Sequence, residues 1–355
     1  MNICFYAPIK NEERYLEKFV RYHSKDMNEN DCFVFIDTGS TDNTLNIIKK
    51  LQDEGFNIQL HPFFYTYKQW DFSAARNCVY AKIPKHIDVC IALDIDEFFK
   101  SGWRNKIETI YEKEKHFILS FKRTEDCSEE KEGFFFVQPR CSIHTKEDAN
   151  WKFPVHECLI PKNNLVKHIV DMSLESIHYR NGQRKRNYLQ IIENCVQSLN
   201  ESSINSLYSQ EDFLHIQYLY ANELFFAKQF EKALKEYDKY FKQVGLINTD
   251  NYNEEFLRNL TRCYSRVGFI YEKLNNYHSA FIYKGLAVGT WPCRETYLSL
   301  CVIHFQVGNI LEAQKYFELG LSCNQSNSYE IMSNYWNPVW LDQLKTTINN
   351  QLKGI

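Results

Sequence analysis

Val89-Cys90-Ile91-Ala92-Leu93-Asp94-Ile95-Asp96-Glu97 is an apolar run that ends abruptly in three carboxylates. An unbroken apolar run of this length predicts a strand buried on both faces, the kind found in parallel sheets. Working outward, similar apolar or alternating runs stand at 4–9, 33–36 and 57–63 before it and at 117–123 and 134–140 after it. Helical patterns lie between several of them. One runs from about Asn11 to Ser24 with Leu16, Phe19 and Val20 on one face. A second follows Ser40-Thr41-Asp42, whose hydroxyls or carboxylate can cap free backbone N–H groups, and reaches about Glu54. A third covers Phe72 to Ala81. Strands alternating with helices predict βαβ units. The last two strands have no helix between them, so a mixed sheet flanked by helices is expected.

From about Tyr188 the chain changes to long helical segments rich in Leu, Tyr, Phe and Ala. Aligning Gln229-Phe230-Glu231-Lys232-Ala233 with Asn276-Tyr277-His278-Ser279-Ala280 and Asn309-Ile310-Leu311-Glu312-Ala313 brings three alanines into register, the last two 33 residues apart. That spacing is close to the period of about 34 residues of tetratricopeptide repeats. Gly268, Tyr271, Ala280, Ala287 and Pro292 fit the repeat's small, aromatic and terminal positions. An α/β domain over residues 1–190 and an all-α, tetratricopeptide-like domain over 191–355 are expected.

Composition narrows the function classes. Apolar residues at 44% and charged residues at 25% describe an ordinary globular chain. Lys plus Arg number 42 against 45 Asp plus Glu, a net charge of −3, which leaves no chain-wide positive field to hold nucleic acid or an anionic bilayer. The 12 cysteines are scattered without a CxxC pair and read as reduced, mostly buried thiols. The N-terminus enters a strand-like run directly, and no apolar run approaches the roughly 18 residues of a membrane span. A cytoplasmic location is the expectation.

Ligands of open α/β sheets bind beyond the carboxyl ends of the strands. There the chain carries Pro8-Ile9-Lys10-Asn11-Glu12, Asp37-Thr38-Gly39-Ser40-Thr41-Asp42 and Asp94-Ile95-Asp96-Glu97. In strand geometry, residues two apart point the same way, so Asp94 and Asp96 are expected to face one pocket. A hard divalent cation would relieve their repulsion there. In Trp70-Asp71-Phe72-Ser73-Ala74-Ala75-Arg76-Asn77, Asp71 is a helix cap and Arg76 a fork for phosphate oxygens. Trp151-Lys152-Phe153-Pro154-Val155-His156-Glu157 offers Glu157 as a general base. Further on, His178 offers a nitrogen ligand or a diphosphate contact, and Arg180, Arg184, Lys185 and Arg186 around Gly182 suit a flap over a charged substrate. Each motif alone reads more readily as a solvated strand end, a capped helix or a core histidine than as a functional site.

Together the five ordered motifs resemble the family 2 glycosyltransferases of GT-A fold: Lys10-Asn11-Glu12-Glu13, Asp37 to Asp42, Asp71 to Asn77, Leu93 to Glu97, and Val155-His156-Glu157. The nearest look-alikes are the branch followed by tetratricopeptide-like helices, such as the bacteriocin S-glycosyltransferases and lipooligosaccharide glucosyltransferase-like proteins. The resemblance implies a metal-dependent, inverting transfer from a nucleotide-sugar donor, UDP-sugar by default, to an acceptor hydroxyl on a glycan rather than a protein. Mn²⁺ or Mg²⁺ is the implied cofactor. Pro8, Asn11, Glu12 and Asp37 would line the base and ribose pocket, Arg76 would meet the base or diphosphate, and Asp94 would hold the ribose or metal side. Asp96 would ligate the metal directly, His178 would join it, and Arg180, Arg184 and Lys185 would assist leaving-group departure. Glu157 would be the base. The helical half would position the acceptor or form a homodimer. The chain departs from the family in carrying Pro8-Ile9-Lys10 where Thr commonly precedes the Asn-Glu pair, and in lacking a Glu-Asp pair at the base position. Two other readings stand beside this one. A sugar-phosphate nucleotidyltransferase would need a Gly-rich, Arg-containing N-terminal loop that is missing here; an inactive scaffold would have kept Asp94, Asp96, Arg76 and Glu157 to no purpose.

Overall fold

The computed structural model describes residues 1–63, 70–126, 135–179, 187–200, 208–246, 253–324 and 338–353. The chain divides into two compact units, Met1–Cys195 and Val196–Ile355. In the first, β1 (Ile3–Ile9), β2 (Cys32–Asp37), β3 (Ile58–Pro62) and β4 (Val89–Ile91) run parallel in the order β3-β2-β1-β4. Helices α1 (Leu16–His23), α2 (Thr44–Asp53) and α3 (Phe72–Tyr80) connect them. After β5 (Glu97–Phe99) and α4 (Trp103–Lys113), β6 (Phe117–Asp126) and β7 (Phe135–Thr145) extend the sheet, with β7 antiparallel to both β4 and β6. A separate hairpin of β8 (Ala149–Lys152) and β9 (Cys158–Pro161) precedes the long β10 (Lys167–Tyr179), which pairs parallel with β6 and antiparallel with β5. The expected mixed sheet is therefore an eight-stranded one.

Alternation along β1 explains the two cores. Ile3, Phe5, Ala7 and Ile9 join Phe19, Phe33, Phe35, Phe99 and Trp103 on one face. Cys4 and Tyr6 join Val34, Ile36, Val79, Tyr80 and Trp151 on the other. Both faces are covered, which is why the first strands read as continuous apolar runs. The register also places Cys32, Cys4 and Cys90 in one row across three strands, a buried thiol cluster that the scattered sequence positions concealed.

Several boundaries differ from the sequence reading for local reasons. Helix α1 starts at Leu16 rather than near Asn11, because Asn11 adopts φ 57°, a left-handed conformation that cannot begin a helix. The acidic residues after β4 are not strand: Asp94 to Asp96 form a turn between β4 and β5. Helix α4 and strands β5, β8, β9 and β10 carry mixed patterns that did not announce themselves.

The second unit is helical. After α5 (Tyr188–Asn200), which holds the unit boundary, come α6 (Gln210–Phe226), α7 (Phe230–Val244), α8 (Glu254–Lys273), α9 (Tyr277–Thr290), α10 (Arg294–Gln306), α11 (Ile310–Ser322) and α12 (Pro338–Leu352). Ala233, Ala280 and Ala313, the aligned alanines, are fully buried at the start of α7, α9 and α11. A Cβ on Gly268 of α8 would come within 2.8 Å of the Lys284 side chain on α9, so the glycine lets that pair close up. No helix among the described residues is long and apolar enough to cross a membrane.

Candidate active site

The first strand and its turn set the floor of the site. Asn11, held in its left-handed conformation, donates its N–H to Ser40 Oγ at 2.9 Å and accepts from Thr41 N at 2.7 Å. The Asp37 carboxylate accepts from Gly39 N at 3.1 Å, from Ser40 N, and from Ser40 Oγ at 2.5 Å. Asp42 does the same one turn later, accepting from both Thr44 N and Thr44 Oγ1 and so opening α2. Those bonds, joined by one from Glu13 N, more than offset partial desolvation and hold Asp42 below the usual carboxylate range. This loop closes on itself.

The opposite wall is built by α3 and the segment before β9. Asp71 caps α3 as expected, accepting from Ala74 N at 2.9 Å, and Phe72 N donates to Pro154 O at 3.0 Å. Phe153 and His156 both have positive φ, 78° and 51°, a strained pair of corners on either side of Pro154-Val155. The path delivers Glu157 to Arg76. Arg76 is almost fully buried, its Nε donating to Glu157 Oε1 at 2.7 Å and its Nη2 to Asp94 Oδ1 at 2.8 Å, with the guanidinium over the Trp151 ring at 4.7 Å. Burial alone would favour the neutral guanidine; the Glu157 and Asp94 carboxylates outweigh it and push Arg76 further toward permanent charge.

A cavity of about 560 Å³ opens here, lined among others by Pro8, Lys10, Asn11, Glu12, Arg76, Asp94 and Glu157, with Trp70 and Phe72 as an aromatic wall. Six of the expected site residues thus share one pocket of the size that takes small ligands. Asp37 is not among its lining residues; its loop neighbour Thr38 is.

Asp96 and His178 fall elsewhere. The turn directs Asp94 toward Arg76, while Asp96, 3% exposed, has Oδ1 3.3 Å from His178 Nε2 without a well-formed hydrogen bond. The two carboxylates therefore diverge instead of facing one pocket, because a turn does not keep the two-residue alternation of a strand. His178 on β10 lies in register with Glu97 of β5 and Glu125 of β6. Arg123 binds all three, through Glu97 Oε1 at 3.1 Å, Glu125 Oε1 at 3.1 Å and His178 Nδ1 at 2.7 Å. Arg140 Nη2 stands 3.5 Å from Asp94 Oδ2. Arg180, Arg184 and Lys185, with the Gly182 flap, lie outside the described residues.

Arg123, Arg140 and Glu125 were missed. A signal for the first and last existed, since the apolar run of β6 ends in Arg123 and Glu125, opposite charges two apart on one face. Nothing in the sequence marked Arg140. Among the described residues five carboxylates (Asp94, Asp96, Glu97, Glu125, Glu157) meet three guanidiniums, an excess of two negative charges with the imidazole left out of the count.

Arg76 thus bridges two carboxylates on the lining of a cavity at the strand ends of the α/β unit. Residues 4–171 match the family model for glycosyl transferase family 2. Those residues thus form a domain of the glycosyl transferase family 2 type. No curated protein matches it. Among solved structures, residues 1–349 of S. aureus TarS in complex with UDP are similar at 13% identity over 94% of this chain and 95% of that one, with a TM-score of 0.41. A longer TarS structure is similar at 11% identity over 94% of this chain and 57% of that one, with a TM-score of 0.40. The TPR-containing domain of a Plasmodium falciparum FK506-binding protein is similar at 15% identity over 42% of this chain and 96% of that one, with a TM-score of 0.33.

Proposed function

We propose that the protein is a metal-dependent, inverting glycosyltransferase that moves a sugar from a nucleotide diphosphate, UDP by first choice, to a hydroxyl of a glycan acceptor. The observation that carries this reading is the meeting of Arg76, Asp94 and Glu157 on one cavity of nucleotide-sugar size in a family 2 domain. Pro8, Asn11 and Glu12 serve the base and ribose, with Asp37 fixing the loop they stand on.

The buried, poorly bonded Asp96 Oδ1 and the excess negative charge suit a divalent cation. Among the described residues no three His, Cys, Asp or Glu side chains gather as a metal cluster. Asp96 would therefore hold Mn²⁺ or Mg²⁺ largely against donor oxygens, with Asp94 on the ribose side. When bound, such an ion stabilises the charge of a departing diphosphate. Arg76 holds the Glu157 carboxylate in place. Glu157 then takes the proton of the acceptor hydroxyl as its oxygen bonds to the anomeric carbon from the face opposite the leaving group; the carbon–oxygen bond to the diphosphate breaks, and its electron pair leaves with the nucleotide. Arg180, Arg184 and Lys185 are assigned to the same departing charge. The helical half recruits the acceptor or pairs two copies of the chain, alternatives that light scattering separates.

A thermal-shift and donor-hydrolysis panel of UDP-, GDP- and dTDP-sugars with and without Mn²⁺ tests the reading. One nucleotide giving metal-dependent stabilisation and slow sugar release is expected. Release of pyrophosphate would instead point to nucleotidyl exchange, and silence across the panel to an interaction scaffold. Within that assay Glu157→Gln should retain donor binding and lose transfer by about 100-fold or more.

A further inference from the structure

We infer that His178 turns its N–H toward Asp96 and is not a metal ligand, because Arg123 fixes its tautomer. A guanidinium only donates hydrogen bonds, so at 2.7 Å from Arg123 Nη2 the His178 Nδ1 must present its lone pair. A ring proton on Nδ1 would set two donors against each other. The proton therefore resides on Nε2, the nitrogen 3.3 Å from Asp96 Oδ1. A metal at Nε2 would need the lone pair that this tautomer does not have there. Ligating histidines show the reverse arrangement, the free ring N–H donating to a carboxylate or carbonyl.

The surroundings hold Arg123 in place. Glu97 and Glu125 flank His178 in register on the two neighbouring strands, and each accepts a guanidinium contact at 3.1 Å. Glu125 Oε1 is 3.9 Å from Nδ1, too far to take a proton from it directly. Turning His178 into a ligand would require its contact with Arg123 to break, by rotation of the ring or departure of the guanidinium. The consequence for the cation rests on the proposed function; the tautomer does not.

Nitrogen-15 spectra of the histidine rings in the metal-free full chain, with His178 assigned by its loss in His178→Gln, read the tautomer directly. A pyridine-like Nδ1 and a pyrrole-like Nε2 are expected, unchanged on adding Mg²⁺ and UDP. A pyrrole-like Nδ1, or conversion of Nε2 on adding Mg²⁺, would overturn the assignment. Mn²⁺ titrations followed by electron paramagnetic resonance add a second readout. The Gln amide can both accept from Arg123 and donate to Asp96, so His178→Gln should bind Mn²⁺ within about threefold of the wild type and His178→Ala about tenfold more weakly. Equal weakening in both variants would make His178 a ligand. If the unaltered chain binds no Mn²⁺, the proposed cation site fails, while the spectra still decide the tautomer.

Discussion

Two acidic segments at the same edge of the sheet solve the same electrostatic problem in different ways. The segment from Asp37 to Asp42 neutralises its carboxylates locally, with N–H and hydroxyl groups two or three residues away. The segment from Asp94 to Glu97 depends on partners far along the chain: Arg76 on α3, Arg123 on β6, Arg140 on β7 and His178 on β10. A carboxylate served by its own loop shapes the backbone. One served by distant, buried guanidiniums sits where charge is concentrated and water is scarce, the setting in which electrostatic stabilisation of a leaving group is strongest.

Removing the distant partner should give the largest effect. Arg76→Met strands Asp94 and Glu157 together, and breaking a buried pair costs about 3 to 5 kcal/mol. The first unit should melt roughly 10 °C lower by calorimetry, with donor binding lost. A change of one or two degrees would mean that water already screens the cluster, and the contrast between the two segments would collapse.

Acid provides a control common to both. Burial pushes His23 down to about 3, in spite of its bond to the Phe19 carbonyl, and His144 down to about 4. The unfolded chain binds these protons near pH 6.5 while the folded one does not, so stability is full above that pH and falls as pH drops toward 4. At about 1.4 kcal/mol per pH unit for each group, the loss reaches up to about 3 kcal/mol at pH 5.5. Denaturant titrations between pH 7.5 and 5 should follow that slope. A flat profile would mean that the two rings are hydrated in solution.

The smallest effect belongs to the locally closed loop. Asp37→Ala removes hydrogen bonds in a half-exposed turn and should cost about 1 kcal/mol, with donor affinity falling only severalfold through the loop's shape. Loss of nucleotide binding without loss of stability would place Asp37 against the ligand and erase the distinction.

This contrast also separates what could be read in the sequence from what could not. The Asp71 cap, the bonds that Asp42 accepts from Thr44 and the parallel strands before Leu93 were legible, because caps and alternation act within a few residues. Arg76 and Glu157 were legible as motifs but not as partners, since 81 residues separate them and two positive-φ corners decide where Glu157 arrives. The direction of Asp96 was not legible, because the turn after β4 interrupts the alternation that the apolar run predicts.

The sequence by itself determined an α/β half followed by a helical half and the residue types at the strand ends, since periodicity, capping and burial on both faces are local properties of the chain. The tertiary structure alone decided which charges meet. Cross-strand register set His178 between Glu97 and Glu125, and the turn after β4 divided Asp94 from Asp96. Coulomb energies in a buried site depend on distances of a few ångströms between residues dozens apart, and only the packed sheet sets those distances.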